Sequence, residues 1–268
     1  RSANLQPQQE YWSDMGRISK EFRRLVGQVG NVARYGDFNP FPRTKRKAKP
    51  KSLRDHPEWE IGSSLEFIVA HLARQQETPF FVLQIGAYDG SFVDPIAGLI
   101  RSHRWQGLLV EPQPEAFNEL RKNYSDQPQL RFENAAVGTE DCTITIYSLK
   151  DSASHLASLD RHHLVRHGTR SSDIIEQQVP CLTLRTLLAR HGIEHVDLLQ
   201  IDAEGNDGKI LRSIDFTTFQ PPIICYEHAN LVEAERNHCI ELLGKQGYRI
   251  LLEDSDTIAY RDPRHGPA

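Results

Sequence analysis

The stretch Phe80-Phe81-Val82-Leu83-Gln84-Ile85-Gly86-Ala87-Tyr88-Asp89-Gly90 constrains the fold of this chain more than any other. An apolar run of β-type residues feeds directly into two glycines, as a buried parallel strand does when it ends in a loop that a ligand approaches closely. Gly86 tolerates positive φ and has no Cβ to block an adenosyl group or a phosphate. Asp94-Pro95 then opens an amphipathic run through Ile96, Leu99, Ile100 and Trp105. Asp is a good helix cap and Pro suits the first helical position. The unit reads strand, glycine loop, helix, as at the first crossover of a nucleotide-binding α/β sheet.

The rest of the chain repeats this alternation. Short strands are expected at Gly107–Glu111, Leu130–Asn134, Thr143–Leu149, Val196–Ile201 and Pro222–Glu227. Helices are expected at Pro57–Gln76, Pro114–Tyr124, Leu184–His191, Lys209–Ile214 and Ala229–Gly247, and Tyr248–Leu252 with Thr257–Tyr260 form an antiparallel pair. Strands alternating with helices imply a mainly parallel sheet covered on both faces. Residues 150–178 are polar, hold His155, His162, His163 and His167, and read as a lid or substrate loop. Two domains are expected. Residues 1–60 form an extension with an apolar helical stripe (Tyr11, Met15, Ile18, Phe22, Leu25, Val26) and a basic linker around 43–51, and residues 61–268 form the α/β domain. The stripe suits packing on the main domain or on a second copy of the chain. A net charge of −4 argues for no particular partner. No run approaches the roughly 18 apolar residues of a membrane span. The four cysteines lack C-x-x-C spacing, which fits reduced, structural thiols in a cytosolic compartment. The chain begins at Arg1, the mark of a trimmed or excised sequence, and what precedes it stays open.

Acidic residues interrupt the apolar runs at one recurring place. Glu111 ends the second strand, Asp202 the fourth and Glu227 the fifth. In an open parallel sheet those ends line one crevice, where ligands bind. A buried acid without a partner costs several kcal/mol, so core packing does not explain three of them. Glu111 lies roughly 20 residues beyond the glycine loop, where a carboxylate accepts hydrogen bonds from a ribose diol. That spacing fits NAD as well as S-adenosylmethionine, but a dinucleotide site wants G-x-G-x-x-G, whereas here Gly86 and Gly90 are separated by Ala87, Tyr88 and Asp89. The purely structural alternative for Glu111 is helix capping before Pro112.

These motifs together resemble the FkbM-type methyltransferase family. The likeness rests on Gln84-Ile85-Gly86-Ala87-Tyr88-Asp89-Gly90, Asp94-Pro95, Val110-Glu111-Pro112 and Asn134-Ala135-Ala136-Val137-Gly138. It continues through Leu199-Gln200-Ile201-Asp202-Ala203-Glu204-Gly205-Asn206-Asp207 and Tyr226-Glu227-His228, spans about residues 78–262 and leaves out the N-terminal extension. The resemblance implies a seven-strand class I methyltransferase fold, Rossmann-like, with S-adenosylmethionine as methyl donor. It also implies O-methylation of a hydroxyl on a sugar or secondary metabolite. Carried over by position, the cofactor would meet Gln84, Gly86, Ala87, Tyr88, Gly90, Glu111, Pro112, Asn134, Ala135, Ala136 and Asp202. Gly86 and Gly90 would line its methionine part, Glu111 its ribose, and Asn134, Ala135 and Ala136 its adenine. Two positions depart from the pattern: Gln84 stands where many methyltransferases carry an acid, and Tyr88 where the family often has Asn.

Methyl transfer to an alcohol needs the hydroxyl aligned and its proton removed. Candidate bases are Asp202, Glu204, Glu227, His228 and His155. Asp202, Glu227 and His228 come first because successive strands converge there, and the same three are the candidate ligands for Mg²⁺ or another divalent cation. A hydroxyl-bearing small molecule is the expected acceptor, without nucleic acid or membrane, and the N-terminal helix is the element expected to join copies of the chain. Two other readings stay open: a nucleic-acid methyltransferase using the basic linker, and a non-catalytic assembly module with a degenerate pocket.

Overall fold

Every apolar run expected as a strand of the main sheet is one, and the order in which they pair creates the crevice. The computed structural model describes residues 64–74, 78–90, 94, 96–149, 157, 158, 165 and 170–261. The expected domain boundary near residue 60, the apolar stripe, the basic linker and the four loop histidines lie outside these residues. In chain order the elements begin α1 (Ser64–Ala73), β1 (Phe81–Ile85), α2 (Ala97–His103), β2 (Gln106–Val110), α3 (Pro114–Asn123) and β3 (Leu130–Glu133). The middle of the chain forms β4 (Ala136–Gly138), β5 (Cys142–Leu149), β6 (Ala157–Ser158), β7 (Ile174–Thr183) and α4 (Leu184–His191). It closes with β8 (Leu198–Ile201), α5 (Asp207–Arg212), β9 (Ile223–Glu227), α6 (Glu233–Lys245), β10 (Arg249–Leu252) and β11 (Asp256–Tyr260).

Seven strands form the main sheet in the order β10-β11-β9-β8-β1-β2-β3. All neighbours are parallel except β11, which runs antiparallel to both β9 and β10. This is the class I methyltransferase arrangement. The order reverses at β1, which lies between β2 and β8, and the crevice opens above the carboxyl ends of these central strands. Burial on both faces explains the unbroken apolar runs. One face packs Leu83, Ile85, Leu199, Ile201 and Tyr226 against Leu187, Ile210, Leu211 and Leu243 of α4, α5 and α6. The other packs Val82, Leu109, Leu198 and Ile223 against Leu65, Val69, Ile100 and Leu120 of α1, α2 and α3. Residues 207–212 are helical, two residues ahead of the expected start at Lys209.

A second sheet, ordered β4-β7-β5-β6, was not expected. The polar stretch expected as a loop gives way at Ile174 to a ten-residue strand. Glu176, Gln178 and Pro180 face outward while Val179 and Cys181 are buried against Ala136 and Ile146. The outward polar residues and Pro180 hide this alternation in the sequence. Proline is tolerated because β4 pairs only with Cys181–Thr183, leaving the flank beside Pro180 open. Thr183 then caps α4, its Oγ1 accepting from Thr186 N at 3.1 Å, and Gly192 ends that helix at φ 58°. Among the described residues no helix is long and apolar enough to cross a membrane.

The tightest constraint lies between the two central strands. Gly86 has φ 82°, and a Cβ added to it would sit 1.8 Å from the carbonyl oxygen of Asp202. A Cβ added to Gly98 of α2, by contrast, would meet nothing within 4 Å. Gly86→Ala is therefore expected to lose about 3 kcal/mol or more of stability, or to fail to fold. Gly98→Ala is expected to change stability by less than about 1 kcal/mol, in the stabilising direction. Urea denaturation of both variants measures the difference.

Candidate active site

Backbone geometry brings the sequence-identified residues of the glycine loop, β2, β3 and β8 into one place. Gly86 N and Ala87 N both donate to Val110 O, at 2.9 and 3.0 Å, so the loop after β1 leans over the end of β2. Glu111 follows Val110 and is only 3% exposed. Its Oε2 accepts from Tyr88 N and its Oε1 from Gln113 N, both at 2.8 Å. Tyr88 holds this position with φ 47°, the left-handed region. Asn134 locks the other side, donating from Nδ2 to Glu111 O at 2.8 Å and to Pro112 O at 3.2 Å. Ala135 and Ala136 continue from it as buried apolar wall. Burial pushes the Glu111 carboxyl up to about 7, against the lowering effect of its two backbone donors. Each oxygen keeps acceptor capacity beyond the one bond it makes, which suits a diol.

The two glycines serve packing more directly than ligand access. The space expected to admit an adenosyl group at Gly86 is filled by Asp202 O. At Gly90 a Cβ would lie 2.3 Å from the Tyr124 ring and 2.6 Å from Leu120.

On the far side of β1 the crevice is acidic. Glu227 pairs with Asp256 at the end of β9, and Asp202 follows directly after β8. Asn230 donates from one Nδ2 to Glu227 Oε2 at 2.7 Å and to Glu204 Oε2 at 3.2 Å, drawing those two carboxylates together. Glu204 takes φ 48° to do so. Asp207 is fully buried and accepts from Ala203 N and Gly205 N, both at 3.2 Å, which closes the turn between β8 and α5. Desolvation and repulsion by nearby acids raise Asp202, Glu204, Asp207 and Glu227. Asp202 is pushed up to about 7, first by desolvation and then by Glu227, Asp256 and Asp94. Asp202 also has substantial exposure to solvent, which screens part of that push. Glu204 and Asp207 are each pushed up to about 8, and Glu227 is raised as well, burial being the leading cause in all three.

His228 is tied to β11 and the turn before it. Its backbone N donates to Ser255 O at 2.8 Å and its Nδ1 lies 2.9 Å from Thr257 Oγ1. Burial and the charge of Arg236 hold its imidazole below the usual pKa. The expected metal set of Asp202, Glu227 and His228 is not assembled. Among the described residues no three His, Cys, Asp or Glu side chains are placed to hold a metal ion. The His228 ring is instead engaged with Thr257.

Two contributors escape a reading of the sequence alone. Leu83-Gln84-Ile85 and Leu199-Gln200-Ile201 are the same tripeptide, and β1 and β8 pair them residue for residue. Gln84 and Gln200 therefore stand side by side on one face, 3% and 8% exposed. Each has an Oε1 with no donor among the described residues. Gln84 Nε2 donates to Asp94 Oδ2 at 3.1 Å, while Asp94 Oδ1 accepts from Ile96 N at 2.9 Å. Burial raises the Asp94 carboxyl, outweighing these bonds and the charge of Arg101. From the sequence, Asp94 reads only as a cap. The repeated Leu-Gln-Ile, polar within otherwise apolar strands, is the signal available for Gln200.

A sequence profile described as the Methyltransferase FkbM domain matches residues 84–250, well over half of the 268-residue chain. No curated protein matches. Among solved structures, the methyltransferase FkbM from Methylobacillus flagellatus KT aligns at 13% identity over 68% of this chain, with a TM-score of 0.43. The chain spans 44% of the length of that structure. An RNA methyltransferase from Salinibacter ruber, in complex with S-adenosyl-L-homocysteine, aligns at 13% identity over 72% of this chain and 87% of its own, with a TM-score of 0.34. A putative caffeoyl-CoA O-methyltransferase from Staphylococcus aureus aligns at 11% identity over 79% of this chain and 91% of its own, with a TM-score of 0.40.

The acidic cluster sets the pH dependence of stability. Asp202, Glu204, Asp207 and Glu111 have folded pKa values of about 7 to 8. Their unfolded values are about 4. The folded state binds the extra protons, so stability rises as pH falls from about 8.5 towards 5. The melting temperature is expected to be higher at pH 5.5 than at pH 8.5, by on the order of 5 °C, and Glu204→Gln should flatten the profile. Calorimetric melts at the two pH values check this. A melting temperature that falls over the same range would mean that the cluster is ionised throughout.

Proposed function

The chain belongs to the FkbM methyltransferase family, and from that premise we propose that it moves a methyl group from S-adenosylmethionine to a hydroxyl on a sugar or other small-molecule acceptor. The observation that carries the hydroxyl reading is Asp202. Asp202 is exposed directly after β8, its backbone carbonyl lies against Gly86 of the glycine loop, and its carboxyl is pushed up to about 7. A general base works best with a pKa near the working pH. His228 fits the base role less well, because burial and the charge of Arg236 lower its pKa and make it a weaker base. Glu204 and Glu227 share Asn230, and the charge of Glu227 is one of the groups that keep Asp202 from being too weak a base.

The residues around the glycine loop fit the cofactor by the chemistry of their free acceptors. When bound, S-adenosylmethionine supplies a methyl carbon activated by a positively charged sulfur. Glu111 would accept from the ribose hydroxyls with the capacity left beyond Tyr88 N and Gln113 N. Asn134, Ala135 and Ala136 would border the adenine, with Pro112 beside them. The orphan Oε1 of Gln84 and the half-buried carboxylate of Asp94 would receive the α-ammonium. In this reading Gln84 does not replace an acid. It passes the acid's task to Asp94, ten residues on, and holds that carboxylate in place. Gly86, Ala87, Tyr88 and Gly90 would shape the path of the methionine chain. Asp202 then takes the acceptor proton and passes it to the solvent it faces. Loss of Asp202, as in Asp202→Asn, removes the base and leaves the positioning.

Calorimetry with S-adenosylhomocysteine tests the cofactor assignment. Binding in the micromolar range is expected. Asp94→Asn keeps an acceptor for Ile96 N but removes the charge, so it should weaken S-adenosylhomocysteine about tenfold. The same variant should leave 5′-methylthioadenosine, which has no ammonium, within about twofold. Equal loss of both ligands would make Asp94 a purely structural cap. Transfer of labelled methyl is then measured on glycosides and on RNA. Label on a glycoside hydroxyl, reduced at least about 100-fold in Asp202→Asn, is the expected result. Label on RNA alone would replace the acceptor class. No binding by the folded chain would leave an assembly module.

A further inference from the structure

Two of the four cysteines, far apart in sequence, face each other across the second sheet. β5 and β7 run antiparallel, and their register sets Cys142 directly opposite Cys181. Side chains at directly opposed positions project from the same face, close enough to touch. The Cys142 thiol is near enough to Cys181 to be one of the groups that raise its pKa. Cys181 is 4% exposed, packed with Ala136, Ile146 and Val179, while Cys142 is exposed at the end of its strand. The pair thus joins one sulfur that an oxidant can reach to one that only its neighbour can reach. The other two cysteines, Cys225 and Cys239, are both buried.

We infer that Cys142 and Cys181 are a redox modification site, converted by hydrogen peroxide into a disulfide across β5 and β7. In the first step the Cys142 sulfur attacks a peroxide oxygen. The O–O bond breaks, the departing oxygen leaves as water with the thiol proton, and Cys142 becomes a sulfenic acid. In the second step the Cys181 sulfur attacks the Cys142 sulfur, the S–O bond breaks, and water leaves with the proton of Cys181. Two thiols are oxidised and one peroxide is reduced to two waters. Burial, and then the Cys142 thiol beside it, push Cys181 up to about 11. The exposed Cys142 is accordingly the sulfur that meets the oxidant and Cys181 the one that resolves it.

The crosslink would close the open end of the second sheet at a sensitive place. Next to Cys142, Asp141 Oδ1 accepts from Thr183 N at 2.6 Å and Oδ2 from Thr186 Oγ1 at 2.6 Å, so the same corner already ties β5 to the start of α4. On its other side Cys181 pairs with Ala136 of β4. A covalent bond here therefore fixes β7 against the segment that follows Asn134. The assignment needs no methyltransferase activity and stands or falls apart from it.

The test treats the full chain with hydrogen peroxide and reads intact mass, free thiols and a non-reducing peptide map. Expected are a loss of two hydrogens, a fall from four free thiols to two, and one crosslinked peptide joining Cys142 to Cys181. Closing a loop of about 40 residues should raise the melting temperature by about 5–10 °C, reversed by dithiothreitol. Cys142→Ser, at an exposed position, should fold normally and lose both the mass change and the shift. Cys239→Ser should keep them. A stable sulfenic or sulfinic acid at Cys142 with Cys181 still reduced would overturn the assignment. So would a covalent dimer through Cys142, or a disulfide that persists in Cys142→Ser.

Discussion

The chain can build its crevice only because the backbone of Gly86 touches the carbonyl of Asp202 where a side chain would otherwise stand. That approach joins the ends of the two central strands and is repeated as a hydrogen bond, Asp202 N to Ile85 O at 2.9 Å. It fixes the glycine loop beside the first acid after β8, so the relative positions of these two edges of the crevice depend on one missing Cβ. The loop's later glycine does the same for α3, letting Tyr124 and Leu120 reach the backbone at Gly90. Both glycines thus act first on packing, and the ligand path is a consequence of how closely the chain closes on itself.

Glu111 shows how one carboxylate fastens two loops at the carboxyl edge of the sheet. Its backbone partners, Tyr88 and Gln113, belong to the loops after β1 and β2. Removing it would free both. Asp197 is the counterexample. That acid lies at the opposite ends of the strands, 1% exposed, and its carboxylate accepts from Phe81 N at 2.7 Å and meets His195 Nε2 at 2.8 Å. It is as buried as Glu111, yet it sits at the amino ends, where it fastens β8 to the start of β1 and faces no crevice. Position at the carboxyl edge, more than burial, separates a candidate site residue from a fastening.

The main sheet was legible because burial on both faces writes itself into sequence as short unbroken apolar runs ended by Gly, Asp or Glu. The acids at 111, 202 and 227 could be read for the same reason. What the sequence concealed depended on pairing between distant segments. The second sheet was hidden because β7 places Glu176, Gln178 and Pro180 outward and relies on β4 and β5 for its inner face. Gln200 carries no signal of its own, because its meaning comes from lying beside Gln84, which only the strand order reveals. The convergence of successive strands groups His228 with Asp202 and Glu227, but only the antiparallel return of β11 reveals that Thr257 meets its Nδ1. The cysteines likewise look scattered until the register of β5 and β7 is known.

The single amide nitrogen of Asn230 between Glu204 and Glu227 has a thermodynamic consequence for any ligand of the crevice. Burial and the repulsion of neighbouring acids raise both carboxyls, Glu204 up to about 8, so the crevice holds protons at neutral pH despite the amide between them. A cationic ligand favours the ionised forms and expels part of that store into the medium. The heat of association is then partly the heat of protonating the buffer. Two buffers with different ionisation enthalpies would report different enthalpies for the same complex, and the difference between them counts the protons that the crevice gives up.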